Sequence, residues 1–293
     1  MYGSKKIAFF GTGGVFSNIV LKCLIDRNIH ISLVVILVKE NSNLIPLNEV
    51  LCKKVGIDYI NIYETNTDFL LNNLTERNID IGIVASYSQI LKPSTIQATK
   101  DGFINVHPSF LPYYKGANPI FWQIKDLKDE FGVSVHKINE KIDEGEILAQ
   151  AKITLTDIYS ANEILTEIAI KGSELLVELI ESYNNNGKME SIIKGQKVDE
   201  ADDGFYNPKP VDADFEVSVF DISPFSLKKL VSRLKKWGDA YFVYEETKVT
   251  IDTIEDIDLK IKGNDIKYIC ENRWRINSKY GSCIAVTKEN LEG

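Results

Sequence analysis

Asn105 and His107 stand two apart in the strand-like run GFINVHPS, so their side chains point to one face. Pro108 and Pro112 break the run and predict a rigid loop beyond the carboxyl end of the strand, where ligands bind in open α/β sheets. Asp143 sits in an IDEG turn from which a carboxylate can reach the same crevice. An amide, an imidazole and a carboxylate converging in a cleft make an acid–base and oxyanion apparatus. Singly, each has a plainer reading: a lone strand histidine is more often structural, and Asp before Glu-Gly is a common turn former. His136, on a β-branched stretch, and His30, at the start of a strand, are read as structural.

The elements that must position these residues follow from apolar periodicity. KKIAFF is a short apolar run ended by glycines, and VFSNIVLKCLIDRN repeats its apolar positions at helical spacing. HISLVVILV and Asp80–Ser86 (DIGIVAS) are nearly continuous apolar runs, the pattern of strands covered on both faces. Helices are expected around Leu47–Val55 and Asp68–Arg77, with a short strand at Asp58–Ile62 between them. This rhythm predicts an α/β fold with a Rossmann-like, doubly wound, mostly parallel sheet and right-handed crossovers. NPIFWQIKDL reads as a helix, and FGVSVHKI and EILAQAKITL as two further strands. SANEILTEIAIKGSELLVELIESY is a long amphipathic helix expected to pack across the sheet and to stop at NNNGK.

Three regions are expected: a catalytic domain over 1–185, a linker over 186–208 and a smaller β-rich module over 209–293. The module opens with the helix SPFSLKKLVSRLKKW, capped by Ser223 with Pro224 at its first position. The segments AYFVY, KVTIDT, DLKIK, KYIC and CIAVT then predict short antiparallel strands.

GTGGVFS follows a strand and opens a helix, a context in which backbone amides hold anions. It is not a dinucleotide fingerprint, because Phe16 takes the third glycine position and Lys39, not an acid, follows Val38. Gly11, Gly13 and Gly14 are candidates to face a substrate's phosphate or sugar; a tight strand-to-helix turn is the plain alternative.

With 34 Lys and Arg against 42 Asp and Glu, the net charge of -8 argues against non-specific binding to nucleic acid or to anionic membrane. From Phe205 onward, 14 basic residues stand against 15 acidic ones, so the module is no basic arm. The longest apolar candidate, Ile29–Val38, falls short of the ~18 residues of a membrane helix. The run before Gly11 lacks the cleavage site of a leader. The scattered Cys23, Cys52, Cys270 and Cys283 match no CxxC pair, which predicts reduced thiols, no metal site and a cytoplasmic location.

NVHPSFLPYYKGANPIFWQI resembles the N-x-H-x-S-L-L-P-x-Y-x-G signature of the formyltransferases that use 10-formyltetrahydrofolate, and GVSVHKINEKIDEGEIL resembles their second signature. LVSRLKKWGDAYFVYEETKVTI is similar to the start of that family's carboxyl-terminal β module. Phe110 replaces the usual leucine, Ala117 stands where some members have arginine, and Trp237-Gly238-Asp239 replaces a Pro-Gly pair. The resemblance implies that Asn105 donates to an oxyanion, that His107 is the catalytic histidine, and that Asp143 raises the pKa of that histidine. It implies that Gln89, Ile90 and Leu91 grip the pterin of 10-formyltetrahydrofolate from one side, with Asn139, Glu140, Lys141 and Ile142 on the other. Ser109, Leu111, Pro112 and Tyr113, in the loop after the strand, are the expected acceptor contacts.

Family members act on methionyl-tRNA, glycinamide ribonucleotide or nucleotide-linked amino sugars. The acidic balance favours the last, with dTDP-4-amino-4,6-dideoxyglucose as the first candidate in surface polysaccharide (O-antigen, lipopolysaccharide) assembly and no nucleic-acid partner. Homodimerisation fits the sugar-modifying members. A methionyl-tRNA formyltransferase and a formyltetrahydrofolate hydrolase remain the alternatives.

Overall fold

Short β-branched runs form strands, and 3.6-residue apolar repeats form the helices between them, in the computed structural model, which describes residues 5–39, 44–63, 67–155, 160–192 and 205–288. The first part runs β1 (Ile7–Gly11), α1 (Val15–Asp26), β2 (Ile31–Leu37), α2 (Leu47–Val55), β3 (Tyr59–Ile62), α3 (Thr67–Arg77), β4 (Ile81–Ala85), α4 (Pro93–Gln97) and β5 (Phe103–His107). Next come the two-residue strand β6 (Lys115–Gly116), α5 (Pro119–Lys125), β7 (Glu130–Lys137), β8 (Ile147–Thr154) and α6 (Ala161–Asn186). The last part holds the two-residue strand β9 (Tyr206–Asn207), α7 (Pro224–Leu234), β10 (Tyr241–Tyr244), β11 (Thr247–Asp258), β12 (Asp265–Cys270), β13 (Arg273–Ser278) and β14 (Gly281–Thr287).

The chain divides into two compact units. One comprises Met1–Gly116, Glu130–Thr154 and Ile164–Tyr206; the other comprises Ala117–Asp129, Leu155–Glu163 and Asn207–Gly293. The β-rich unit thus takes in two stretches from the middle of the chain, including α5, in addition to the expected module. Residues 193–204 of the expected linker lie outside the described residues.

In the first unit a seven-stranded sheet runs in the order β3-β2-β1-β4-β5-β7-β8. The strands from β3 to β5 pair in parallel, and β7 and β8 join antiparallel. Strand order reverses between β1 and β4, the switch point at which such sheets open a crevice beyond their carboxyl ends. All residues of β1 and β4 are buried, which is why these strands read as continuous apolar runs. α6 crosses the sheet closely at Gly172, where a Cβ would come within 2.8 Å of Val106 and 2.9 Å of Val133. The helix runs on through the three asparagines, three residues past Tyr183, and ends within the expected NNNGK stop. Gly187 (φ +74°) ends it, its amide donating to the Tyr183 carbonyl at 2.9 Å.

In the second unit five antiparallel strands order as β10-β11-β14-β13-β12. α7 starts as expected, with the Ser223 hydroxyl accepting from the Ser226 amide at 3.1 Å and Pro224 in the first turn. Two strand assignments are corrected. DLKIK forms no strand beyond Asp258, and RWRINS, unassigned from sequence, is β13. Its hairpin with β12 turns on Glu271 and Asn272, and that of β10 with β11 on Glu245 and Glu246, all at positive φ. Turns built on glutamates lack the Asn-Gly signal that marks such hairpins in sequence. Arg233, 1% exposed, lies against Asp129 Oδ1 at 3.5 Å and donates to the Lys128 carbonyl at 3.2 Å.

All four cysteines are free thiols, and burial pushes those of Cys52 and Cys283 up to about 11. Among the described residues no helix is long and apolar enough to cross a membrane.

Candidate active site

The antiparallel register of β5 against β7 pairs Asn105 with His136 and His107 with Ser134. Asp143 reaches the same place from the turn between β7 and β8, held in the left-handed region at φ +54°. A non-glycine residue there is strained, a feature that clusters at functional sites. The turn closes at Gly145, where an added Cβ would sit 1.7 Å from the Lys137 carbonyl oxygen. The glycine is required by this close approach.

The side chains converge. His107 Nδ1 lies 3.6 Å from Asp143 Oδ2, and Nε2 donates to the Tyr114 carbonyl at 3.0 Å. The Gly116 amide donates to Asp143 Oδ2 at 2.8 Å. Asn105 Nδ2 stands 3.1 Å from His136 Nε2 and 3.5 Å from Asp143 Oδ1, while His136 Nε2 is 3.4 Å from that same oxygen. The other nitrogen of His136, Nδ1, is 2.8 Å from the Lys137 carbonyl. Beside the cluster, the largely buried Lys115 ammonium donates to Glu144 at 3.2 Å.

Burial pushes the pKa of His107 down, and the Asp143 carboxylate, which pulls it up, does not reverse the shift. The carboxylate thus acts on His107 in the expected direction, and burial outweighs it. A ring that is 5% exposed loses more hydration on charging than one carboxylate at 3.6 Å returns. With Nε2–H given to Tyr114, the unprotonated Nδ1 faces the carboxylate at a distance too long for a hydrogen bond. For Asp143, burial works to raise the pKa, but the imidazoles of His107 and His136 and the Gly116 amide outweigh it and hold the carboxyl down to about 2. It is ionised at neutral pH.

The expected acceptor loop is partly turned inward. Ser109 is fully buried, its hydroxyl donating to the Tyr113 carbonyl at 2.7 Å, and Leu111 is 1% exposed. The buried Ser134 hydroxyl donates to the Ser109 carbonyl at 2.7 Å and accepts from the Leu111 amide at 3.0 Å. These two residues therefore hold the loop, and only Pro112 and Tyr113 present surface. The glycines after β1 also have packing reasons: a Cβ on Gly11 would sit 1.8 Å from Ser17 Oγ, and one on Gly13 2.4 Å from Pro46. Gly14 caps α1 without a side-chain hydrogen bond.

Leu91 of the first segment expected to hold the pterin, and Ile138 just before the second, pack against one core cluster. Within the two segments, Ile90 and Ile142 are 73% and 43% exposed. Asn139 braces its own turn, accepting from the Lys141 amide at 2.9 Å and donating to the Glu144 carbonyl at 3.2 Å. Glu140 and Lys141 are exposed. The tyrosine hydroxyl of Tyr87 donates to Gln89 Oε1 at 3.3 Å.

His136, read from sequence as structural, belongs to the cluster, as do Tyr114 and Gly116, which the sequence did not single out. For His136 the missing signal was the β5–β7 register. Tyr114 and Gly116 act through backbone atoms, which carry no residue signature.

Residues 5–180 match the family model described as formyl transferase. Methionyl-tRNA formyltransferase of Pelagibacter ubique is 34% identical over 186 residues, which are 61% of this chain and 59% of that relative. The match thus spans less than two thirds of that curated relative. The crystal structure of WlaRD, a sugar 3N-formyl transferase in the presence of dTDP and 5-N-formyl-THF, superposes with a TM-score of 0.65 at 19% identity, covering 99% of this chain and 100% of that one. The N-formyltransferase from Helicobacter canadensis, in complex with folinic acid and dTDP-3-aminofucose, gives 0.64 at 17% identity, covering 97% and 100%. Both likenesses are of fold. With residues 5–180 of 293 inside one family model, and with Asn105, His107 and Asp143 gathered in that stretch, the chain belongs to the formyl transferase family.

Proposed function

We propose that this protein transfers a formyl group from 10-formyltetrahydrofolate to the amine of a nucleotide-linked amino-dideoxy sugar, with dTDP-4-amino-4,6-dideoxyglucose as the first candidate. The observation that carries the chemistry is the convergence of Asn105, His107 and Asp143 within 3.6 Å contacts at the end of β5. Exposed Ile90 and Ile142, on segments that adjoin one core cluster, suit the two faces of a flat apolar ring, so the residues present fit a folate. The folate supplies an activated formyl carbon on N10. Gln89, Ile90 and Leu91 would hold it from one side and Asn139, Glu140, Lys141 and Ile142 from the other.

The chain's own residues divide the work. The Asn105 amide is the oxyanion donor, a role whose loss typically costs about 3 kcal/mol. His107, uncharged through burial, would take the acceptor amine's proton as the new C–N bond forms and return it to N10 as the C–N10 bond breaks and tetrahydrofolate leaves, with the Asp143 carboxylate 3.6 Å away offsetting the transient imidazolium charge. Asp143 stays ionised throughout, fixed by the Gly116 amide.

The acceptor assignment rests on charge and extent. A net of -8 and a near-balanced carboxyl-terminal part offer little to a polyphosphate partner. The fold likeness to one protein described as a sugar 3N-formyl transferase, and to an N-formyltransferase in complex with dTDP-3-aminofucose, runs over nearly the full length of both chains. Methionyl-tRNA is the second reading, favoured by the 34% identity to the Pelagibacter enzyme. Mass-spectrometric assay of the full chain with 10-formyltetrahydrofolate and each acceptor tests the choice. Formylation of the dTDP amino sugar is expected, and formylation of methionyl-tRNA at a comparable rate overturns the sugar reading. Formate release with no amine present identifies a hydrolase instead.

A further inference from the structure

The five-stranded sheet of the second unit carries a cavity that formyl transfer does not use. Cross-strand pairing of Tyr244 with Thr247, Phe242 with Val249, and Trp274 with both Tyr268 and Ala285 puts these side chains on one face. Val249 lines the cavity, and Phe242 and Ala285, cross-strand from Val249 and Trp274, are buried on the same face. Above them Tyr244 and Tyr268 stand edge-on to Trp274, with ring centroids 5.1 and 5.2 Å away. Tyr268, on the outer strand β12, is 60% exposed. The cavity is open on one side and has a volume of about 360 Å³, inside the roughly 300–1,000 Å³ of small-molecule sites.

The polar groups around the rings are mixed. Asn272, Glu245, Tyr244 and Trp274 line the cavity, and their side-chain polar groups make no hydrogen bond among the described residues. The one cation in the lining, Lys288, is taken by Asp239 at 2.7 Å. An acidic residue with no free cation disfavours phosphate, and therefore nucleotides and nucleic acid. Aromatic walls with both donors and acceptors at their margin suit a ring that is apolar on its faces and hydroxylated at its edge.

We infer that this cavity binds a neutral hexopyranose unit. The inference goes beyond the acceptor reading, because every lining residue belongs to the second unit and none to the Asn105–His107–Asp143 cluster. Saturation-transfer NMR on the full chain, with methyl α-D-glucopyranoside and N-acetyl-D-glucosamine as probes, tests it. Transfer to the ring C–H protons is expected. Trp274→Ala and the exposed-site variant Tyr268→Ala should each weaken binding about tenfold through lost stacking. Formyl transfer by Tyr268→Ala should match wild type, so failure here and failure of the acceptor reading are seen separately. Three outcomes overturn the site: no transfer to either sugar, transfer undiminished in both variants, or tighter binding of tetramethylammonium or thymidine.

Discussion

His107 is the residue on which the chemistry and its pH dependence meet. A buried imidazole with a lowered pKa binds a proton less readily when folded than when unfolded, where it titrates near 6.5. As pH falls below 6.5 the unfolded state therefore gains protons first, and the contribution of His107 to stability is lost downward from that value. Asp143 acts in a lower window. Its carboxyl is held at about 2 against 3.8, so its contribution is intact above 3.8 and is lost as pH drops towards 2. Denaturant titrations should show wild-type stability falling below pH 6.5, with His107→Gln removing that first decline and Asp143→Asn flattening the second. A wild-type stability flat from pH 7 to 5 contradicts the lowered histidine pKa. In turnover, Asn105→Ala, His107→Ala and Asp143→Ala should each lose at least ~100-fold. Near-normal rates in purified His107→Ala would remove this histidine from the mechanism.

At the scale of elements, a glycine decides where the aspartate stands. Gly145 lies against the Lys137 carbonyl at a distance that admits no Cβ, so Gly145→Ala must displace the turn that carries Asp143. Turnover should fall at least ~10-fold, while thermal stability drops by only ~1–3 kcal/mol, the usual cost of overpacking. A variant with full activity means that Asp143 needs no such placement. The β-α alternation of the first unit was legible because its central strands β1, β2 and β4 are buried on both faces while the helices between them bury one, which writes two distinct periods into the chain. β13 was missed although Arg273, Trp274, Arg275 and Ile276 alternate polar with apolar, the period of a half-buried strand, because the Glu271-Asn272 turn before it carries no Asn-Gly signal. The site was legible where residues neighbour in sequence, as Asn105 and His107 do. His136 escaped because its place opposite Asn105 depends on a pairing 31 residues distant. For α7, Ser223→Ala should cost ~1 kcal/mol in a melt, as expected of a lost N-cap.

For the whole molecule, the charge balance separates the two acceptor readings by a measurement that needs no structure. Neutralising phosphates releases counterions, so an enzyme gripping a tRNA through several of them loses affinity steeply with salt, roughly 0.7–0.9 log unit per log unit of salt for each phosphate contact. A nucleoside diphosphate sugar presents two phosphates, and its KM should rise only slightly between low and physiological salt. The net charge of -8 works further against a polyanion, because its repulsion is felt over about 10 Å at 0.1 M salt. The expected result is a KM for the dTDP amino sugar that changes less than about tenfold from 20 to 200 mM salt. A KM for methionyl-tRNA that is low at 20 mM salt and climbs by orders of magnitude would mean that basic groups gather locally despite the acidic total. Helix α7, with Lys228, Lys229 and Arg233 in its sequence, is the first place to seek them, and there the geometry already argues otherwise. Lys229 and Arg233 are both turned to Asp129, at 2.7 and 3.5 Å, so two of its cations neutralise the protein itself.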